Sequence, residues 1–488
     1  MAEQSYDPIV PRKVGNRRAP RGAATEPTGG KGETSVRICW KGDIARHRTR
    51  NTMCTDNDRI AELARQDPRR KFFSIAPLIT VEKMYAAFLS LRKDASAGID
   101  GVTYTQYVAN AEENIRQLHR RLKEGKYRVQ PLRRVYIPKE DGKQRPISIP
   151  SLEDKLVQKV VVDLLNAIYE QDFLDCSYGF RPGRSQHQAL DEVGRAICTR
   201  PTGWILEIDI RAYFDSIVRG KLVEMLEERV SDGSVLRLIQ KWIKVGVIEE
   251  GRLLVSETGT GQGQPISPLL ANVFLHHVLD KWFEDIVKPR LKGEAHEIRF
   301  ADDAILCFQH KEDAVRVMQV LSKRFAKFGL TLHPEKTRLI EFGRYAARNA
   351  RRQGKKPETF DFLGLTHLCA RSRKGKFTVH VKTIDKRARR GLKAIADWCK
   401  AHRHDPVKEQ QQTLNAKLRG HYQYYGRPTN YRSIWQFYRN VRRCWHKWLS
   451  RRTRGRRLTW DRFAQILSQY PLLRPRITHT WVRTGRHA

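Results

Sequence analysis

The sequence predicts an α+β fold followed by a helical region in its last quarter. Three observations carry this. Short apolar or β-branched runs at 135–149, 204–210 and 298–308 have strand length and are bounded by turn residues. Between them lie stretches with apolar residues at helical spacing, such as Leu156, Val160, Val161, Leu164, Leu165 and Ile168. Beyond residue 370 the pattern is helical and aromatic, with Leu414, Leu418, Tyr422 and Tyr425 on one stripe and Trp435, Tyr438, Val441, Trp445 and Trp448 on another. Both stripes read as core.

At 488 residues and 40% hydrophobic content the chain is long enough for more than one buried core. Its formal net charge of +40 calls for a polyanionic partner. With no apolar run of about 18 residues and a polar start, nucleic acid fits better than a membrane, and an intracellular, bacterial-type cytoplasmic or nucleoid-associated protein is expected, not a secreted one. The eight cysteines are scattered with no C-x-x-C pair, which argues against a zinc ribbon or a disulfide framework.

The charge is uneven. Residues 371–488 hold 31 Lys/Arg against 5 Asp/Glu, while 71–370 hold 47 against 39. Residues 1–70 are basic, with nine Pro or Gly in the first 32, and read as a mostly disordered extension. The expected organisation is therefore 1–70, 71–370 and 371–488. In the last segment Arg439, Arg442, Arg443, Lys447, Arg451 and Arg452 are candidates for a phosphate backbone.

Along the middle segment, 135–149 reads as two strands around an Asp141-Gly142 turn, with Lys139 and Arg145 flanking it as anion ligands or as ordinary surface cations. Tyr178-Gly179-Phe180-Arg181-Pro182-Gly183-Arg184 is a loop whose arginines suit either a phosphate backbone or a structural turn. In 204–210, Asp209 is embedded in an apolar run, which requires either a salt bridge or a metal. A Gly/Pro-rich loop containing Gln262 leads into a helix with Leu269, Leu270, Val273, Phe274, Val278, Leu279 and Trp282 on its apolar face. Residues 298–308 set Asp302 and Asp303 at the tip of a hairpin; two adjacent anions suit a cation, and a solvated turn is the other reading. Residues 343–358 form a basic insertion without a core face. Taken together, Asp209, Asp302 and Asp303 supply the hard oxygen donors of a two-Mg²⁺ site for in-line phosphoryl transfer.

These residues resemble a known family. Phe300-Ala301-Asp302-Asp303 looks like the aromatic-x-Asp-Asp box of reverse transcriptases, and the order of boxes resembles the reverse transcriptase/maturase of group II introns. The boxes include Ala97-Gly98-Ile99-Asp100-Gly101, Ile137-Pro138-Lys139 through Arg145-Pro146-Ile147, Tyr178-Gly179-Phe180-Arg181-Pro182, Asp209 to Asp215, Gln262-Gly263, Glu335-Lys336-Thr337 and Phe362-Leu363-Gly364. The resemblance implies a right-hand polymerase, with fingers and an antiparallel palm sheet followed by an α-helical thumb, or maturase, domain. It implies Asp209, Asp302 and Asp303 as catalytic metal ligands, helped by the Ile210 carbonyl, with two Mg²⁺ ions and Mn²⁺ as a substitute. Lys139 and Arg145 would hold the triphosphate, Gln262 would contact the nucleotide, and Phe214 would stack under its sugar. Lys336 would lie near the nucleotide and Gly364 near the primer. Expected partners are intron RNA, a DNA target or primer, and dNTPs.

Two departures stand out: Gly261-Gln262-Gly263-Gln264 replaces the usual Pro-Gln-Gly-Gly, and Phe300 replaces the commoner tyrosine. No Cys/His endonuclease pattern follows Ile477, so no second-strand cleavage is expected. The alternatives are a domesticated reverse transcriptase in phage defence or CRISPR adaptation, or a non-catalytic RNA-binding splicing factor.

Overall fold

The computed structural model describes residues 55–138, 144–249, 252–254, 258–452 and 458–480. Helix α1 (Asp56–Gln66) is opened by Thr55, which exchanges hydrogen bonds with Asp58 in a capping box, and it buries Ile60 and Ala64. These eleven residues are the ordered part of the segment expected to be mostly disordered: Ile60, Leu63 and Ala64 form a local apolar stripe that the segment's average composition hides. Residues 1–54 lie outside the described residues.

Helices α2 (Val81–Ser90), α3 (Tyr104–Val108) and α4 (Ala111–Lys123) lead to strands β1 (Leu132–Pro138) and β2 (Gln144–Ile149). These two pair antiparallel, with Pro138 opposite Gln144. The turn between them, Lys139 included, lies outside the described residues. Helix α5 (Leu152–Asp172) buries Leu156, Val160, Val161, Leu164, Leu165 and Ile168, as its periodicity predicts, and lies against α1 and α2. Helix α6 (Gln186–Thr199) and strand β3 (Trp204–Ile208) follow, then α7 (Tyr213–Ser216), α8 (Arg219–Glu227) and α9 (Gly233–Lys244). Strands β4 (Val247–Glu249) and β5 (Arg252–Leu254) extend the first hairpin into a sheet of order β2-β1-β4-β5.

Helix α10 (Ser267–Leu275) continues as wider π-helical turns over His276–Asp280 and Trp282–Val287, so the single regular helix expected here is broken in pitch while its apolar face stays buried. Next come β6 (Ala295–Phe300), β7 (Asp303–Phe308), helix α11 (Lys311–Lys327) and β8 (Arg338–Glu341). The central sheet has the order β6-β7-β3-β8 with every pair antiparallel. Both of its faces are covered. Leu206, Ile208, Leu306 and Phe308 enter the larger core, whereas Ile205, Ile305 and Cys307 join Ala189 and Val193 of α6 in a second one. Burial on both sides explains why these strands read as unbroken apolar runs.

Helix α12 (Ala346–Arg352) buries Ala346, so the basic stretch 343–358 has an anchored face after all. Strands β9 (Thr359–Phe362), β10 (Leu365–Arg371) and β11 (Phe377–Thr383) form a three-stranded antiparallel sheet. The expected boundary at 371 therefore falls inside a hairpin. Phe377, Val379 and Val381 alternate with Thr378, His380 and Lys382 there, a strand pattern that the surrounding cations obscure. Helices α13 (Asp385–Ala401), α14 (Val407–Tyr425), α15 (Tyr431–Leu449) and α16 (Trp460–Gln469) enclose a third core that holds Leu414, Leu418, Tyr422, Tyr438, Val441 and Trp445. Trp435 departs from the expected core stripe and is 39% exposed. Among the described residues no helix is long and apolar enough to cross a membrane.

Candidate active site

Asp302 sits in the turn between β6 and β7, and Asp303, paired with Phe300, begins β7. On the neighbouring strand Ile208 lies opposite Ala304, so Asp209, one residue further on, reaches the same end of the sheet. Segment 209–211 is pinned by 331–333: the His333 N–H donates to the Asp209 carbonyl (2.8 Å), the Arg211 N–H donates to the Thr331 carbonyl (2.8 Å), and Ile210 bridges Leu332. The structure thus gathers three carboxylates that are separated by up to 94 positions in sequence.

Asp302 is buried. Burial pushes its carboxyl up to about 7, and Asp209 adds to the shift while a backbone N–H and Arg145 oppose it. A divalent cation bound among these oxygens would relieve that strain, and carboxylate oxygen is the donor that hard cations take.

The loop carrying Gln262 links this end to the first sheet. The Thr260 N–H donates to the Phe214 carbonyl (3.0 Å), and the Ser148 N–H of β2 donates to the Gln262 carbonyl (2.7 Å). Gly263 has φ +114°, and a Cβ there would stand 2.6 Å from the Ser148 carbonyl oxygen, so the approach needs glycine. Arg145 of β2 is therefore brought close enough to act on Asp302, while Phe214 is buried and Gln262 half-buried. Lys336, half-buried, lies between His333 and β8.

Gly364 and Leu363 form the two-residue turn between β9 and β10, with φ of +80° and +47°, the left-handed pair that such hairpins favour. The Arg387 guanidinium of α13 packs over Gly364, 2.9 Å from where a Cβ would be. The Tyr424 hydroxyl of α14 donates to the Leu363 carbonyl (2.8 Å). Burial pushes that hydroxyl well above its ordinary range, and Tyr425 and Asp303 add to the shift, so the helical bundle reaches the acidic end. Neither Arg387 nor Tyr424 is singled out by sequence, because an arginine in a basic helix carries no local mark of what it faces.

The loop arginines are structural. Arg181 is buried, bonds Glu170 at 3.1 Å and donates to the carbonyls of Leu174 (2.7 Å) and Ser177 (2.8 Å), and Arg184 pairs with Asp175. On the bundle, Arg439, Arg443, Lys447 and Arg451 are exposed, and Arg442 is half-buried against the Tyr438 ring. Arg452 donates to the carbonyls of Arg403 and Asp405, which ties down the loop after α13 in place of the expected phosphate contact.

The sequence profile of the family described as Reverse transcriptase (RNA-dependent DNA polymerase) matches residues 137–367. That span, just under half of the chain, is similar to a reverse transcriptase domain. The matched span runs from β1 into β10 and contains all three carboxylates. The chain is also 35% identical over 250 residues to Protein YkfC of Escherichia coli, which covers 50% of this chain and 64% of that protein. It is 31% identical over 280 residues to the Group II intron-encoded protein LtrA of Lactococcus lactis, covering 55% and 46%, and 42% identical over 167 residues to an uncharacterized 91 kDa protein in the cob intron of Schizosaccharomyces pombe, covering 34% and 20%. The chain thus spans less than two thirds of each of these relatives. Reverse transcriptases generally use divalent metal ions.

Proposed function

We propose that this protein is an RNA-directed DNA polymerase of a group II intron that also binds the intron RNA and assists its splicing and mobility. The observation that carries the reading is the convergence of Asp209, Asp302 and Asp303 at one end of the β3–β7 pair. Two Mg²⁺ ions held there by the three carboxylates and the Ile210 carbonyl, with Mn²⁺ as a substitute, would supply the positive charge that favours attack by a primer 3′-hydroxyl and departure of pyrophosphate. Arg145, with Lys139, binds the triphosphate; Gln262 and Lys336 orient the nucleotide; Phe214 lies under its sugar. Gly364, with Arg387 above it, faces the primer side. The basic face of α15 follows a phosphate backbone. The likeness to the intron-encoded LtrA supports intron RNA over the domesticated alternatives, and the complete acidic triad speaks against a non-catalytic splicing factor.

Primer extension on poly(rA)/oligo(dT) with dTTP and Mg²⁺ tests the reading. Asp302→Asn is expected to lower kcat by at least a thousandfold, with RNA affinity within about threefold of wild type. Retained extension in that variant would refute the assignment.

A further inference from the structure

We infer that Arg299 is a positioning residue for the acidic end: its buried guanidinium holds the turn peptide that presents Asp302. The inference rests on the polymerase reading of Asp209, Asp302 and Asp303. Arg299 lies on β6 and has no exposed surface. Its Nε and Nη2 donate to the two carboxylate oxygens of Asp280, at 2.7 and 2.5 Å. Its Nη1 donates to the Ala301 carbonyl (2.9 Å) and to Asn272 Oδ1 (3.1 Å). The Ala301 carbonyl belongs to the peptide whose nitrogen is that of Asp302, so a single planar fork sets the orientation of the hairpin tip.

The surroundings show what the fork is for. Ala301 has φ +57°, a left-handed conformation that alanine adopts only when its neighbours enforce it. Asn272 turns its Nδ2 to the Gly179 carbonyl (2.7 Å), and Gly179 is pressed so close to the tip that a Cβ would stand 2.2 Å from the Ala301 nitrogen. The Arg299 N–H donates to the Cys176 carbonyl and the Tyr178 N–H to the Arg299 carbonyl, both at 2.8 Å. Loop 176–179, the helix bearing Asn272, the π-helical turn bearing Asp280, and the hairpin therefore meet on one residue, the loop on its backbone and the others on its side chain. Cys176, Asp280 and Glu297 place their ligand atoms within 4.8 Å of one another. Both Asp280 oxygens are already engaged by Arg299, so within this cluster Asp280 serves as the anchor of the guanidinium. A lysine would match the charge of Asp280, but an ammonium cannot reach Asp280, Asn272 and Ala301 together in one plane.

The test uses the full chain as wild type, Arg299→Lys and Asn272→Ala. It measures kcat and dNTP KM in primer extension, Mn²⁺ affinity by electron paramagnetic resonance, and the thermal midpoint. For Arg299→Lys, kcat is expected to fall at least tenfold and Mn²⁺ affinity at least threefold, with dNTP KM within threefold and the protein folded at the assay temperature. Asn272→Ala leaves the Arg299–Asp280 pair in place and is expected to move the same two quantities in the same direction, by less. Wild-type kcat and Mn²⁺ affinity in both variants would overturn the inference, as would a loss of kcat that follows the folded fraction alone. A wild-type protein that extends no primer refutes the polymerase reading, and the Mn²⁺ affinities then decide on their own whether Arg299 positions the carboxylates.

Discussion

His367 of β10 shows how a buried side chain makes the stability of this fold depend on pH. It is 1% exposed, and its ring stacks on Phe360 with centroids 4.5 Å apart. Burial, with Arg427 adding to it, holds its pKa down to about 3 against an ordinary 6.5. The unfolded chain takes up a proton near pH 6.5 and the folded chain only near pH 3, so between these values the unfolded state binds more protons and stability falls as the pH falls. Urea midpoints are expected to drop from pH 7.5 to pH 5, and His367→Phe to flatten that dependence in part, because burial holds His187, His277 and His421 down to about 3 as well; an unchanged slope would place the titration in those groups. The same contrast between type and surroundings limited what the sequence could reveal. Asp302 and Asp303 are conspicuous because adjacent anions are costly wherever they occur. Arg181 and Arg452 look like phosphate ligands until the structure shows them engaged by Glu170 and by the carbonyls of Arg403 and Asp405. Arg299 gave no signal, because its partners Asp280 and Asn272 lie 19 and 27 positions away.

Strands and helices were legible where their own periodicity is strong and obscure where a neighbour supplies the reason for them. The β6–β7 hairpin and α5 follow directly from their patterns, whereas β4 and β5 are only three residues each and exist because β1 offers an edge to pair with. Helix α1 was masked by the composition around it, and β11 by its interleaved cations. The end of α14 shows a dependence of the same kind. Gly426 closes that helix, its carbonyl accepts the N–H groups of Thr478 (2.8 Å) and His479 (3.1 Å), and a Cβ on it would stand 2.3 Å from the Tyr422 carbonyl oxygen and 2.5 Å from Thr478 Oγ1. Gly426→Ala is therefore expected to cost about 1–3 kcal/mol. It should also release segment 476–479, seen as faster proteolysis there than in wild type; equal cleavage rates would show that the segment is held by other contacts.

The molecule as a whole is electrically lopsided, with 31 of its 93 Lys/Arg but only 5 of its 53 Asp/Glu in residues 371–488. The fold gives that excess a direction. Arg432, Arg439, Arg443 and Lys447 are exposed and recur at steps of 7, 4 and 4 along α15, which puts them on one face of the helix. The buried side of the same helix carries Ile434, Phe437, Val441 and Trp445, so the bundle's core fixes the row of cations in space. Exposed Trp435, stacked near Tyr431 at 6.2 Å, borders that row. An ordered row of four cations predicts a definite salt response. On single-stranded RNA, log K plotted against log salt is expected to have a slope of roughly −3, from about −0.7 per phosphate contact. Replacing Arg443 and Lys447 together by alanine should reduce its magnitude by roughly 1.4 while leaving the thermal midpoint unchanged, since neither side chain enters the core. Affinities measured between 50 and 500 mM KCl decide this. A slope equal to that of wild type in the double variant would move the phosphate track off α15, even if the total affinity fell.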